Sequence, residues 1–545
     1  MKEPQLPRIN SNPPVLTPTP KPLRFIVLGA GSRGNAYAQA VTTSTPGHIH
    51  AVAEPHPFKR REFGRNYIWG EDGKPQDGQE FEDWRDWVRW EVKRRNAPGG
   101  GGSSDGIRID GVFICTLDDQ HIDILHAIAP FKDLHILCEK PLALSLTDCL
   151  SVYRSLSPSA SSGRNTIFSI GHVLRYSPHN ILLRKLLLFD KVIGDIVSLE
   201  HCEPVGWWHF SHSYVRGNWR RATQNGDGSL LTKSCHDIDF ILWLLCSPPV
   251  TPTITTSAAA AAGSEYHHPR TITSTGTLSQ FHPRRKPPKA GSATNCLSCP
   301  AERECNYSAL KIYRDMHLFR GHLDWPVNIV CPDIEDIYRT SGPEGADRAL
   351  LSELGRDYTK ANTSENENGS EGQKPHYGRC VYESDNTVCD DQTVTITWDA
   401  DDNSNRGPKT ALFHMIAPTE KQCQRRGIVY GTTGEITYDS RRITIYTFDT
   451  QTTTTIEVPR RPPEEEKAHG GGDYGLARGF VSAVEAVVNE GMGVGEAQSR
   501  FVGCTLEEAV RSHAVVFAAE EARREEKVVR WKEWWEGKLS SVGLV

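Results

Sequence analysis

The distribution of hydrophobic residues changes once along this chain. From Arg24 to about Gly171, short continuous apolar runs alternate with stretches of helical length. Such runs are typical of strands that are buried on both faces of a parallel sheet. We expect strands at the run that begins at Arg24, and at His48–Ala53, Gly111–Thr116, His135–Cys138 and Ile167–Gly171, with helices at Asn35–Thr42 and His121–Ala129. This alternation predicts βαβ units in a doubly wound Rossmann-type α/β sheet.

Beyond His172 the strand-like runs become longer and helical patterns become rarer. The runs expected as strands are Asp195–Cys202, Gln392–Trp398, Thr410–Ala417 and Ile443–Phe448, and the closing helices are Gly475–Asn489 and Leu506–Arg524. The pattern predicts an α+β domain with a large, mostly antiparallel open sheet. The predicted division is a disordered tail at 1–21, a nucleotide domain at 22–172 and a second domain at 173–535.

Three segments of the second half are low in complexity. They lie at 251–263, 284–294 and 362–374, and each is too polar or too rich in small residues to form a core. We expect all three to be disordered insertions.

Composition excludes several classes of function. The chain has 545 residues, 37% of them hydrophobic and 24% charged, and a formal net charge of −6. These values fit a soluble globular protein, and they give no reason to expect nucleic acid or a membrane surface as a partner. The chain contains 14 cysteines and no recognisable secretory signal, which favours reduced thiols in the cytoplasm.

A glycine motif follows the first predicted strand. Gly29, Gly31 and Gly34 form G-x-G-x-x-G, in which the first glycine permits a tight turn, the second lets a pyrophosphate approach and the third lets helix and strand pack closely. The motif predicts a dinucleotide site, with Ser32 and Arg33 in the binding loop.

The residue after the second strand bears on the choice of cofactor. Glu54 lies 20 positions after Gly34, where a carboxylate can accept hydrogen bonds from the ribose hydroxyls of NAD. Arg33 and the basic run Lys59–Arg61 would instead suit the 2′-phosphate of NADP. We expect NAD, with NADP as the alternative.

Two further loops follow predicted strands at the sheet edge where ligands bind. Thr116–His121 follows one strand, and Glu139–Lys140–Pro141 follows the next. From these loops we expect Thr116, His121 and Glu139 to contact the cofactor. Because a proline follows it, Lys140 is restricted to non-helical backbone geometry, so its side chain can point into the site instead of lying along a helix.

At these motifs the chain resembles the Gfo/Idh/MocA oxidoreductase family, whose Rossmann domain ends in an EKP motif. The resemblance continues through four further segments, GHVLRYSP (Gly171–Pro178), Ile193–Arg220, Lys233–Leu245 and Arg511–Arg524. It implies that Lys140 lies beside the nicotinamide and the substrate hydroxyl, and that His236 is the catalytic acid/base. The family often has an acidic residue four positions earlier, where this chain has Thr232; Lys233 or Asp237 could substitute. The alternative for Asp237 is a structural role on its helix.

The segment Trp207–Arg220 combines aromatic rings with polar side chains, which suits a polyhydroxylated ligand. We expect His212 and Arg216 to bind substrate, together with Arg175, Tyr176 and Asp237. The alternative for the segment is a loop packed at a subunit interface. The glycine loop His469–Asp473 either closes over the substrate or begins a helix.

A separate group of cysteines has the spacing of metal ligands. Cys296, Cys299 and Cys305 lie within ten residues, and Cys380 would complete a tetrahedral site. Four cysteines suit structural zinc; free thiols and an iron–sulfur centre are the alternatives.

Together these features predict an NAD(P)-dependent oxidoreductase that acts on a sugar, a cyclitol or a related hydroxylated molecule and forms homo-oligomers. Two other hypotheses remain open: an NAD-dependent glycosidase on the same fold, and a non-enzymatic NAD(P)-binding regulator or scaffold.

Overall fold

The structure is a computed structural model that describes residues 21–97, 108–157, 165–223, 228–247, 266–356, 375–402, 406–467 and 469–544. The predicted insertions at 251–263 and 362–374 lie outside these ranges, as does most of the predicted N-terminal tail.

The first domain is built on a six-stranded parallel sheet. Its strands are β1 (Arg24–Leu28), β2 (His48–Ala53), β3 (Glu80–Phe81), β4 (Gly111–Ile114), β5 (His135–Cys138) and β6 (Phe168–Ile170), in the spatial order β3-β2-β1-β4-β5-β6. The helices are Ser32–Ser44, Pro57–Tyr67, Trp84–Asn96, His121–Ile128 and Leu146–Leu156. The last four residues of β1 are fully buried, because helices cover both faces of the sheet. The Rossmann prediction is confirmed.

The second domain contains a nine-stranded sheet. Its strands are β7 (Ile196–Pro204), β8 (Thr271–Thr277), β9 (Asp391–Trp398), β10 (Lys409–Ile416), β11 (Arg426–Gly431), β12 (Gly434–Asp439), β13 (Arg442–Thr447), β14 (Thr452–Glu457) and β15 (Val529–Arg530). The order is β14-β13-β12-β11-β7-β10-β9-β8-β15, and β7 and β10 form the parallel pair in an otherwise antiparallel arrangement. Buried positions alternate along β9, so one face of the sheet packs against helices.

The helices in the described part of the second domain are Pro178–Leu188, Trp207–Phe210, Ser229–Thr232, Cys235–Leu245, Val327–Val330, Ile334–Gly355, Pro463–Lys467, Gly472–Val488, Val494–Ala497, Leu506–Arg524 and Trp531–Ser541. Of these, Cys235–Leu245 and Leu506–Arg524 pack against the sheet, and Gly472–Val488 packs against Ser32–Ser44 of the first domain. The imidazole of His513, on Leu506–Arg524, accepts a hydrogen bond from the backbone N–H of Leu142, just after the EKP motif. This contact helps to fix the loop after β5 against the second domain.

An inserted subdomain separates β8 from β9; we use this name for the described residues of 282–389. It has its own small apolar core around Ile312, Tyr313 and Leu350, apart from the main core. The expectation of disorder at 284–294 is wrong, because two short 3-10 turns form there, Ala290 is buried and Lys286 forms an ion pair with Glu383. The prediction from local composition did not take into account contacts with distant parts of the subdomain, such as the ion pair with Glu383.

Candidate active site

The glycine loop between β1 and its helix has the shape that a dinucleotide requires. Gly29 has φ of +96°, and a Cβ there would lie 2.6 Å from the carbonyl oxygen of Cys115. At Gly34 a Cβ would lie 2.0 Å from the carbonyl oxygen of Gly29, so the helix packs directly on the turn. A Cβ on Gly31 would meet nothing within 4 Å, which leaves open space beside the backbone. The residues therefore fit a bound dinucleotide, whose pyrophosphate would lie at the first turn of Ser32–Ser44, which has no side-chain cap.

Glu54 lies at the edge of this loop. Its carboxylate accepts hydrogen bonds from the backbone N–H groups of Ala30 at 2.8 Å and His56 at 2.9 Å. Of the nearby basic residues, Arg60 is held by an ion pair with Glu80 and by the carbonyl oxygen of Glu54. The environment at the end of β2 is thus acidic and close to the glycine loop.

Arg33 does not point toward this edge. Its guanidinium binds the carboxylate of Asp473 through two hydrogen bonds of 2.9 and 2.7 Å, and donates a third, of 2.8 Å, to Glu139. Asp473 belongs to the second domain, so this interaction joins the two domains. It also leaves Arg33 engaged away from the position of a 2′-phosphate.

Glu139 anchors the EKP loop. It accepts hydrogen bonds from Arg33, from the hydroxyl of Tyr37 at 2.5 Å and from the backbone N–H of Lys140 at 3.1 Å. Burial alone would raise the pKa of Glu139, but the Arg33 guanidinium and the Tyr37 hydroxyl lower it below its usual value. An ionised Glu139 therefore fixes the backbone from which Lys140 projects.

Lys140 reaches across to the second domain. Its Nζ donates a hydrogen bond of 2.7 Å to the backbone oxygen of Thr232. Thr232 lies four positions before His236, where the family often has an acid, but it ends the short helix Ser229–Thr232, whereas His236 belongs to the next helix, Cys235–Leu245. A backbone carbonyl therefore accepts the hydrogen bond from Lys140 at this position, and the Thr232 hydroxyl is directed to the carbonyl oxygen of Gly228.

His236 is buried beside Lys140. Its Nδ1 is buried and has no hydrogen-bond partner among the described residues. Burial, and next the charge of Lys140, hold the pKa of His236 well below its usual range, so the ring is neutral at neutral pH. Two other imidazoles, those of His172 and His469, have ring centroids 6.1 and 6.5 Å away. His469 belongs to the glycine loop that the sequence predicts to close over the substrate or to begin a helix, whereas no sequence motif assigned a role to His172.

Asp237, the next residue, is directed elsewhere. It is fully buried; its Oδ1 accepts hydrogen bonds from His201 at 2.8 Å and Arg425 at 2.9 Å, and its Oδ2 accepts one from Arg425 at 3.0 Å. Arg425 also pairs with Glu203. Asp237 therefore belongs to a closed ionic network, with no carboxylate oxygen left for a substrate.

Three other residues expected at the substrate site form hydrogen bonds within the protein; Arg175 and His212 are buried, and Tyr176 is partly buried. Arg175 forms a bidentate pair with Asp239, at 2.8 and 2.9 Å, and Tyr176 donates its hydroxyl hydrogen to the carbonyl oxygen of Val502. His212 shares a hydrogen bond of 3.0 Å with the hydroxyl of Tyr313, in the core of the inserted subdomain. The structure does not bring these side chains to Lys140 and His236.

Thr116 and His121 lie at the carboxyl end of β4. The imidazole of His121 is within hydrogen-bond distance of the carbonyl oxygens of Pro141, at 2.7 Å, and Thr116, at 3.3 Å, so it links the two predicted cofactor loops. The Thr116 hydroxyl oxygen is buried and has no hydrogen-bond partner in the described part of the chain, which leaves it able to bond a bound molecule. The indole N–H of Trp219 donates to Asp118 of the same loop, bringing the aromatic segment to this edge.

The remaining predicted ligands form a separate cluster. Arg216 and the four cysteines Cys296, Cys299, Cys305 and Cys380 line one cavity at the inserted subdomain. Within the described ranges, no three His, Cys, Asp or Glu side chains are already arranged as metal ligands. Also among the described residues, no helix is long and apolar enough to cross a membrane.

Two family models match parts of the chain. The Gfo/Idh/MocA model for the oxidoreductase NAD-binding Rossmann fold matches residues 23–159, and the Gfo/Idh/MocA model for the oxidoreductase C-terminal alpha/beta domain matches residues 185–269. These two segments are similar to the Gfo/Idh/MocA oxidoreductase family.

Individual relatives are distant. The chain is 27% identical over 146 residues to a 2,7-anhydro-N-acetylneuraminate hydratase of Escherichia coli (strain K12), covering 27% of this chain and 36% of that protein. It is 24% identical over 235 residues to an inositol 2-dehydrogenase of Rhizobium meliloti (strain 1021), covering 43% of this chain and 58% of that one. The chain thus spans between about a third and three fifths of the length of these two curated relatives.

Solved structures share the fold over nearly the whole chain. A levoglucosan dehydrogenase in complex with NADH and levoglucosan aligns with a TM-score of 0.54 at 14% identity, covering 94% of this chain and 100% of that one. An oxidoreductase domain protein from Kribbella flavida aligns with a TM-score of 0.55 at 14% identity, covering 94% and 99%. These matches establish the architecture.

Proposed function

We propose that this protein is an NAD(P)-dependent dehydrogenase or reductase that acts on a CH–OH group of a sugar, cyclitol or related small molecule. One observation carries the proposal. The ammonium of Lys140, from the nucleotide domain, binds the carbonyl oxygen of Thr232, four positions before His236 in the second domain. A proton-transfer pair therefore lies next to a loop shaped for a dinucleotide.

His236 acts as the base toward the substrate hydroxyl. Its depressed pKa keeps the ring neutral, and a neutral imidazole can accept the hydroxyl proton. Nδ1 has no protein partner among the described residues, so a bound molecule can determine which nitrogen carries the proton.

Lys140 binds the same substrate oxygen. An ammonium has three N–H donors, and Thr232 takes one of them, so donors remain for a ligand. Its positive charge stabilises the oxygen as the proton leaves. The nicotinamide cofactor, when bound, supplies the two-electron acceptor or donor.

NAD is the expected cofactor. The Glu54 carboxylate, at the edge of the glycine loop, suits ribose hydroxyls and opposes a 2′-phosphate, while Arg33 is engaged by Asp473 and Glu139. Lys59 and Arg61 keep NADP as the alternative. The substrate is expected to be a polyhydroxylated small molecule, and homo-oligomers and a cytoplasmic location also remain predictions.

The test is a screen of the purified full chain with NAD and NADP against polyols, cyclitols, aldoses and anhydrosugars. Reduced nicotinamide is followed by absorbance, and products are followed by mass spectrometry. The proposal expects cofactor reduction in proportion to product. His322→Asn, which changes an exposed histidine, is the matched control for His236→Asn.

Other outcomes would overturn the proposal. Product formed without net change in the cofactor would indicate a transient oxidation, as in an NAD-dependent glycosidase. Nucleotide binding without turnover of any substrate, and equal behaviour of wild type and His236→Asn, would favour the regulator or scaffold.

A further inference from the structure

Four cysteines from two distant parts of the chain surround one small cavity. Cys296, Cys299 and Cys305 come from the start of the inserted subdomain, and Cys380 comes from its end. The cavity measures about 20 Å³, which is room for a single small species and far too little for a four-iron cluster. Arg216, Glu302, Tyr307 and Tyr382 are among the other residues that line it.

Arg216 places a positive charge against these cysteines. It is 0% exposed, and no carboxylate forms an ion pair with it among the described residues. Its guanidinium donates to the carbonyl oxygens of Arg379 at 2.9 Å and Tyr307 at 2.6 Å, and to Sγ of Cys296 at 3.5 Å. One nitrogen, Nη1, is buried and has no hydrogen-bond partner among the described residues. A buried guanidinium is costly unless anions compensate its charge, and the ionisable groups that act on it are the thiols of Cys296, Cys305 and Cys380 and the hydroxyl of Tyr313.

Backbone donors also point at two of the sulfurs. The N–H of Tyr307 bonds to the side chain of Cys305, and the N–H groups of Tyr382 and Glu383 bond to that of Cys380. Burial outweighs these hydrogen bonds and raises the pKa of both thiols, so a bound cation has to supply the rest of the stabilisation that a thiolate needs. Arg216 and these backbone groups therefore supply the positive surroundings that a multi-thiolate centre needs.

We propose that Cys296, Cys299, Cys305 and Cys380 bind one structural zinc ion. Four thiolates form a closed tetrahedral set, which is typical of structural rather than catalytic zinc. They would carry a net charge of about −2 with the metal bound, which Arg216 partly offsets. The sulfurs surround the cavity without meeting at one point, so binding draws the three half-buried cysteines inward.

The position of the site explains what the metal would do. It joins the first and last parts of an insertion whose own apolar core is small, and small cores commonly need a metal or a disulfide. Through Arg216 it also fixes the end of the Ser211–Arg216 turn, a few residues before Trp219, which contacts Asp118 at the nucleotide domain. This inference does not depend on the proposed reaction.

Metal content of the full chain, purified without chelators, tests the proposal. Mass spectrometry of the metal should find about one zinc per chain in the wild type and a small fraction of that in Cys380→Ser. Cys331→Ser is the matched control, because Cys331 is buried in the same subdomain but does not line the cavity, and it should retain the zinc. Equal zinc in Cys380→Ser and wild type would overturn the assignment.

Cobalt substitution of the wild-type chain provides a second test that needs no variant. Cobalt(II) held by four thiolates gives intense sulfur-to-metal charge-transfer absorption, which we expect here with about one cobalt per chain. Iron with acid-labile sulfide would overturn the proposal in favour of an iron–sulfur centre. Metal-free native protein in which all four thiols react with a thiol reagent would overturn it in favour of free cysteines.

Discussion

His236 and Asp237 are neighbours on one helix, yet they face opposite environments. His236 turns toward the nucleotide domain, and its buried Nδ1 has no protein partner among the described residues. Asp237 turns toward the nine-stranded sheet, and His201 and Arg425 occupy both its oxygens. The difference assigns the two residues different roles. A buried polar group without a protein partner, such as Nδ1 of His236, can bind a ligand, whereas a fully paired group, such as the Asp237 carboxylate, stabilises the fold.

The ion pairs and hydrogen bonds that Asp237 forms explain why it stabilises the fold strongly. Burial would raise the pKa of Asp237, but Arg425, and then the hydrogen bond from His201, hold it well below its usual range. Arg425 bridges Asp237 to Glu203, which Lys233 also approaches at 3.3 Å. The helix that carries His236 is therefore fixed from the side that faces the nine-stranded sheet.

The largest expected effect concerns Lys140, which lies beside His236. Lys140→Met should lower kcat/KM by roughly 10²- to 10⁴-fold, because it removes the cation that binds the reacting oxygen. Steady-state kinetics and nucleotide binding measure this, and binding should largely survive. The control is Lys132→Met, which changes an exposed lysine. A loss shared equally by both variants would contradict the role of Lys140.

The second effect concerns the ionic network of Asp237, Arg425 and Glu203. Asp237→Asn should reduce the free energy of unfolding by about 3–5 kcal/mol, because it leaves Arg425 buried with less than its full charge compensation. Urea unfolding measures the change. Glu457→Gln, in an exposed pair with Arg442, should cost no more than about 1 kcal/mol. Similar losses in the two variants would show that the network contributes little.

A third expectation is a loss of stability in mild acid. Burial lowers the pKa of His172 to about 4 and that of His513 to about 3, and it lowers that of His236 well below 6.5. The unfolded chain binds these protons near pH 6.5 while the folded chain does not, so the free energy of unfolding should fall as pH falls from about 6.5 toward about 4. The slope is about 1.4 kcal/mol per pH unit for each such histidine. Urea midpoints that stay level or rise over this interval would be inconsistent with neutral buried histidines.

The smallest effect concerns cofactor choice. Glu54→Gln should reduce the preference for NAD over NADP about tenfold, since a neutral amide no longer opposes a 2′-phosphate. Thermal shift titrations with both oxidised nucleotides measure it. Glu82→Gln, which changes an exposed carboxylate that contacts Arg60, is the control. If only the control changes the preference, Glu54 is not the discriminating residue.

Local patterns predicted the parts of the molecule that are governed by nearby residues. The run His48–Ala53 became β2 and Leu506–Arg524 became a helix with the predicted bounds, because apolar periodicity and capping act over a few positions. The glycine loop has the backbone that its motif predicts, for the same reason.

Contacts between distant residues could not be read from such patterns. Arg33 was interpreted as a phosphate ligand, but its partner Asp473 lies 440 positions away. Arg175 and His212 are polar residues in promising motifs, yet their hydrogen bonds with Asp239 and Tyr313 lie in the interior. Polarity in sequence indicates a need for partners, and only the fold determines whether these come from the protein or from a ligand.

The most direct test of the account measures two properties of His236→Asn in one preparation, the urea midpoint and kcat/KM with the substrate found by the screen. We expect the midpoint to stay close to that of wild type while kcat/KM falls by at least about 10²-fold. A rate near that of wild type, or a midpoint that falls as far as in Asp237→Asn, would contradict the assignment of proton transfer to His236.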